Sequence, residues 1–211
     1  MRQPRSDVAR NRRLLIEATI ESFSDHGLDV PLDTVARRAG VGNATLYRHF
    51  PTRDDLYEAA FGEIRERFAA VLARYEDVDD GWRALYELIF EIFSTAPLVG
   101  PAVGQVEKER LDASPSLRWI VTEVHATLDR VLQFAQSQGA VRVDVDVEDL
   151  SLLVDTLRPV VAASGNDAPE LWHRHLVLVL DALRPGVASP LPARLSDVEQ
   201  RIRLTRTVHH R

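Results

Sequence analysis

The residues best suited to chemistry stand close together: Asn43, Ala44, Thr45, Tyr47, Arg48 and His49. An amide, hydroxyls, a guanidinium and an imidazole on one short segment suit hydrogen bonding to base edges and phosphate, and the small residues at its start allow a close approach to a groove. Arg53 adds a cation shortly after. Leu46 and Phe50, four positions apart, supply an inward apolar face with Tyr47 beside them, so the segment reads as a helix of about two turns, cut at Pro51. In front of it, "PLDTVARRAG" gives a second short helix ending at Gly40, which can take the left-handed conformation of a tight turn, with Val41 tucked beneath. Gly42 serves as the N-cap of the segment. Two short helices joined by a glycine turn over residues 32–50 have the form of a helix-turn-helix. An ordinary helical hairpin packed on a bundle has the same form, and spacing alone divides the two readings about evenly.

The elements that must hold this segment are helices throughout. Ser6 or Asp7 caps a first helix to about His26, with Leu15, Ile16, Ile20 and Phe23 at helical spacing and Gly27 as its stop. Thr52 caps a long fourth helix over 53–76, with two acids in its first turn. Asp79 or Asp80 opens a fifth over 81–96 that is apolar nearly all round, as in a buried helix or one lining a cavity. Residues 97–113 hold a short helix around "VGQVEKERL". A long seventh helix covers 114–139, and an eighth, 147–163, is expected to kink at Pro159. A ninth follows over 169–183. The alternation in "AVRVDVDV" reads as a connector rather than a strand.

Composition narrows the classes. The chain has 211 residues, no cysteine and a formal net charge of −6. A disulfide framework, thiolate metal site or cysteine nucleophile is therefore impossible. Residues 1–53 carry nine Arg against six acids, so a cationic head precedes an acidic body. That is the footprint of a chain that meets phosphate at one end only, although a fluctuation of a few charges would look the same. No signal-like or membrane-spanning apolar run stands out, which makes the cytoplasm the expected compartment and a membrane partner unexpected.

With those residues in view, positions 8–58 resemble the DNA-binding domain of the tetracycline-repressor-like (TetR) family of transcriptional regulators. The likeness runs from "LLIEATIESFSDHGLD" through "DTVARRAGVGNATLYRHFPTRDDLYEA", and "TLYRHFPTRDDL" is its most specific part. It implies an all-α protein: a three-helix head (1–53), an effector-binding and dimerising helical bundle (54–184) and a mobile tail (185–211). It also implies a homodimer on palindromic double-stranded operator DNA. Asn43, Ala44, Thr45, Tyr47 and His49 fall where the family contacts bases and phosphates, Arg48 lies among them on the outer face, and Arg53 falls on a phosphate-contacting position. Many relatives open the second helix with a hydroxyl residue, whereas Pro31, Leu32 and Asp33 stand here.

In the body, Tyr86, Phe90 and Phe93 of the fifth helix are expected to meet Thr122 and His125 of the seventh around a mostly apolar cavity. Arg158 would receive an acidic group; its plainer role is a salt bridge with Asp155 or Glu123. A small hydrophobic or weakly acidic effector follows. Arg118, Thr122, His125 and Asp129 form one polar stripe, and Ser151, Asp155, Arg158 and Ala162 another; each reads as a solvated flank or the wall of a pocket or interface. The ninth helix is apolar on two faces, Trp172, Leu176, Val179 and Leu183 on one and Leu171, Leu178 and Ala182 on the other, so Asp155, Leu171, His175, Leu178 and Ala182 are candidates for a dimer contact. His173 and His175, two apart on a helix, point in different directions and make a poor metal pair. "DVDVED" reads as a helix cap through Asp146. No catalytic constellation or cofactor motif is visible. Three readings follow: a ligand-responsive repressor, a constitutive or architectural DNA-binding protein without effector and, more weakly, an enzyme using the aromatic body.

Overall fold

The computed structural model describes residues 5–26, 28–95, 108–164, 169–186 and 189–191. Among them the fold is all-α: α1 Arg5–His26, α2 Leu32–Arg38, α3 Asn43–His49, α4 Arg53–Leu72, a 3-10 turn Ala73–Tyr75 and α5 Gly81–Thr95. These are followed by α6 Lys108–Ala113, α7 Pro115–Ser137, α8 Val147–Asp155, α9 Arg158–Ser164 and α10 Pro169–Asp181.

Local chemistry sets most of the boundaries. Thr52 and Asp55 form a reciprocal capping box at the start of α4, and Asp146 with Asp149 does the same for α8, each satisfying backbone donors that no helical carbonyl can reach. Asp80 accepts the Arg83 amide at 2.9 Å, which fixes it as the opening of α5. Ser114 accepts the Leu117 amide and Pro115 occupies the first turn of α7, where its missing N–H costs nothing. The stretch between α7 and α8 is a connector, turned at Gly139 with φ 67°. Its Arg142 donates to both Asp144 oxygens and to the Ser189 carbonyl, which ties Ser189 to the body; residues 187–188 and 192–211 of the expected tail lie outside the described residues.

The eighth helix is not one kinked rod but two. A full break at Thr156–Leu157 separates α8 from α9, and Pro159 becomes the second residue of the new helix, a position that tolerates it. Ser151 and Asp155 therefore lie on one helix and Arg158 and Ala162, whose side chains lie outside the described residues, on the next. The fourth helix also tightens into 3-10 geometry after Leu72, earlier than periodicity suggests.

Helix α4 is the spine, packing against α1 on the head side and against α7 and α5 on the body side. A single run of buried residues passes from Leu15 and Phe23 through Leu56, Phe61 and Phe68 to Leu88, Val124, Leu150 and Leu176. α5 meets α7 very closely at Gly81: a Cβ there would sit 2.5 Å from the Ala135 Cα. The Gly81 amide donates to the Gln138 side chain at 2.8 Å. Phe23 stacks on Phe61 at 5.4 Å and edge-on to Tyr57 at 5.2 Å, so the aromatic core of the head reaches past residue 53 into α4.

Candidate nucleic-acid interface

Helix α3 is held by its two inward residues: Leu46 is wholly buried and Phe50, just past its end, nearly so. Gly40 between α2 and α3 has φ 68°, a conformation in which any other residue would be strained. The Val41 amide behind it donates to the Ala36 carbonyl at 3.0 Å, closing the turn. Val41 itself is half-buried against the core. Gly42 stands at the N-cap in extended geometry. The short helix is therefore pinned from below and from one end, with its other face outward.

That outward face carries Asn43, Ala44, Tyr47 and Arg48, all exposed, with Thr45 and His49 half-buried at its edges. Tyr47, placed by periodicity beside the inward pair, is 52% exposed and belongs to the outer face. Arg53 is exposed at the first position of α4, its guanidinium 5.8 Å from the Tyr57 ring centroid. None of the seven predicted residues is fully buried. Pro31 caps α2 with no side-chain bond, and Thr34 instead accepts from Arg37 at 3.4 Å.

His49 is unusual. Its Nε2 is buried and, among the described residues, has no hydrogen-bond partner. Burial first, then the nearby Arg48 and Arg12 guanidinium groups, hold its pKa below the ordinary 6.5. Arg12, 5.0 Å above the Phe50 ring, brings α1 to the same corner. Burial and the two nearby cations therefore favour the neutral imidazole. Arg12 is the residue that sequence reasoning placed only in the general cationic head; its cation–π seat on Phe50 depends on the α1–α3 packing and has no local signature.

The expected body sites fare differently. Phe93 is buried, and Phe90 stacks on Trp172 at 5.1 Å and meets His173 at 4.7 Å, with Tyr86 stacked behind it. Thr122 is exposed, and His125 faces Glu148 of α8 at 3.8 Å. Trp172 of α10 thus packs against the aromatic side of α5. The side chain of Arg158 lies outside the described residues. The first polar stripe is a flank of α7 tied to its neighbours: Arg118 donates to the Leu111 and Asp112 carbonyls and Asp129 accepts from Gln133. A cleft of about 210 Å³ opens elsewhere, between the head and the α6–α7 corner, lined by Leu28, Arg53, Tyr57, Glu58 and Arg110 among others.

On α10, Trp172, Leu176, Leu180 and Leu183 are buried. Leu171, His175, Leu178 and Ala182 form an exposed stripe on the other side, and Asp155 is half-buried on α8. Leu178 is 59% exposed and Leu152 of α8 54%. No group of three potential metal ligands occurs among the described residues, and none of their helices is long and apolar enough to cross a membrane.

Residues 15–60 match the family model described as bacterial regulatory proteins of the tetR family, and residues 82–185 match that of the SbtR-like transcriptional regulator C-terminal domain. An HTH-type transcriptional regulator of Staphylococcus aureus is 27% identical over 86 residues, 40% of this chain and 45% of that protein; the chain thus spans under half the length of that curated relative. The crystal structure of a TetR transcription regulatory protein from Mycobacterium vanbaalenii is 30% identical, with 87% of this chain and 100% of that one covered at a TM-score of 0.51. The TetR-like regulator LfrR from Mycobacterium smegmatis, solved in complex with proflavine, shares the fold at 18% identity, covering 86% and 98% at a TM-score of 0.62.

Proposed function

Since the chain belongs to the TetR family of bacterial regulatory proteins, we propose that it is a ligand-responsive repressor acting in the cytoplasm, binding a palindromic operator as a homodimer through α3. One observation carries the DNA-binding part: α3 buries Leu46 and leaves Asn43, Ala44, Tyr47 and Arg48 exposed together, with Arg53 exposed at the start of the next helix. An outward face of amide, phenol and guanidinium groups on a helix pinned from beneath suits insertion in a major groove, with Arg53 and His49 on the flanking phosphates.

Dimerisation is supported by the Leu171–His175–Leu178–Ala182 stripe of α10 and by Leu152 of α8, aliphatic surface that a twofold mate would cover in a four-helix contact. Response to a small molecule is supported by the example of LfrR, which holds proflavine in its crystal structure. The effector proposed for this chain is a small hydrophobic or weakly acidic compound. A second reading, a DNA-binding protein without effector, is favoured by one observation: Phe90 stacks on Tyr86 and Trp172 and Phe93 lies against Trp172, so aromatic packing takes up that side of α5.

Selection from random duplex DNA should recover a palindrome bound as a dimer. In a fluorescence-anisotropy titration on it, Arg53→Ala should weaken all sequences alike and reduce the salt slope by about 1. Failure to enrich any sequence would refute the operator reading. Screening hydrophobic and weakly acidic compounds for release of the DNA then separates the responsive repressor from the effector-free reading.

A further inference from the structure

Beside the apolar packing of α1 on α4, polar contacts tie the head to the body at one corner. Arg110 of α6 donates from Nη1 to the Leu28 carbonyl at 2.9 Å and from Nη2 to the Asp29 carboxylate. Both acceptors lie in the turn between α1 and α2. Glu58, in the second turn of α4, accepts from the Ser114 hydroxyl, from the Ser116 amide at 3.2 Å and from the Ser116 hydroxyl at 2.7 Å. Ser114 is also the N-cap of α7, so one buried hydroxyl serves both the helix start and the clamp. The 210 Å³ cleft lies beside both grips, and the junction there is not filled by apolar packing.

On the reading that this chain binds operator DNA, we infer that Arg110 and Glu58 are positioning residues for that binding, a two-point grip by which the α6–α7 corner sets the angle of the head on the body. Stability does not account for the Arg110–Asp29 ion pair. The Asp29 side chain is 78% exposed and that of Arg110 33%, and exposed ion pairs add little. The head has its own core in Leu15, Phe23, Leu46 and Phe50. Hydrogen bonds with fixed directions, one set on the α1–α2 turn and one on α4, resist rotation of the head in a way that sliding apolar contacts do not. A displacement of the α6–α7 corner then acts on two separate points of one rigid head and turns it. In a dimer whose two recognition helices must match half-sites about 34–36 Å apart, such a turn changes affinity without touching a base contact.

The absence of cysteine makes the geometry directly measurable. Spin labels at Asp33→Cys in the head and Gln133→Cys in the body, both exposed positions, give one intrachain distance when labelled chains are diluted with unlabelled ones. The parent protein should show a narrow distribution. Arg110→Ala and Glu58→Gln should broaden or shift it, and the reversed pair Arg110→Asp with Asp29→Arg should bring it back. On DNA the two single variants should lose about tenfold affinity for the full palindrome and change the preferred half-site spacing, while binding of an isolated half-site stays level. An unaltered distance distribution in both single variants overturns the inference, and so does an equal loss on half-site and palindrome, which would mean a damaged head. If the parent bound no DNA while the distances changed as described, the grip would stand and the operator reading would fall.

Discussion

Helices α3 and α10 are each buried along one side and open along the other, and their open sides are about equally exposed. In the head Tyr47 is 52% exposed above a buried Leu46; in the body Leu178 is 59% exposed opposite a buried Leu176. What differs is the chemistry left outside. Amide, phenol and guanidinium groups on α3 remain solvated without a cover. The aliphatic stripe of α10 gains nothing from water and is satisfied only by another apolar surface. Exposure alone thus says that a face lacks a cover, and side-chain chemistry says what the cover is.

The sharpest way to break this contrast is to give the body face the chemistry of the head. Leu178→Glu should convert dimers to monomers and lower operator affinity on the order of 100-fold or more, because each half-site then binds without its neighbour. Sedimentation showing an intact dimer would place the interface elsewhere. A change inside the body tests packing rather than partnership. Gly81→Val would drive a side chain into the Ala135 backbone, 2.5 Å away at Cα and 2.7 Å at N, where neither side can give. A loss of about 1–3 kcal/mol is expected, lowering the melting temperature by roughly 2–4 °C per kcal/mol for a chain of this size. An unchanged melt would show that α5 and α7 can separate there.

On the head, Asn43→Ala or Thr45→Ala should cost about 1–3 kcal/mol of discrimination against non-specific DNA while leaving the fold intact. Equal affinities for specific and random duplexes in the parent and both variants would remove the base-reading role. The smallest effect concerns His49. Its folded pKa lies below 6.5, so the unfolded chain takes up the proton first as pH falls. The stability that this group contributes is present above about 6.5 and declines below it. DNA binding should show the opposite trend: phosphates near the imidazole favour its charged form, so affinity at constant salt should rise a few-fold between about pH 8 and pH 6. His49→Gln should flatten both dependences, and a pH-independent affinity in the parent would exclude contact between His49 and the DNA.

Sequence reasoning reached the head because its determinants are local. The Gly40 turn, the i, i+4 pair Leu46–Phe50 and the Thr52 cap are each set by residues within five positions of one another, and the Asp146 cap in the body is local in the same way. The two-helix break at Thr156–Leu157 was less accessible: Pro159 announces a disturbance, but whether the chain bends or restarts depends on how α9 packs against α10. The aromatic partner of α5 was hidden for a related reason. Periodicity on α5 and α7 identifies which side chains look inward, yet it cannot show that Trp172, some eighty residues later, fills the aromatic side. The grip of Arg110 on Leu28 and Asp29 joins residues about eighty apart and left no local trace either.

The aromatic cluster of Phe23, Tyr57 and Phe61, with the Tyr57 hydroxyl donating to the Val30 carbonyl at 3.2 Å, bears on how such regulators can be recombined. A chimera joined just after the recognition helix would hand Phe23 and Val30 to a foreign α4 and open a hole beneath the α1–α2 turn. Exchange of DNA specificity between relatives is therefore expected to succeed only when the transplanted segment carries α4 through Phe61, or when the recipient already has an aromatic residue at both positions.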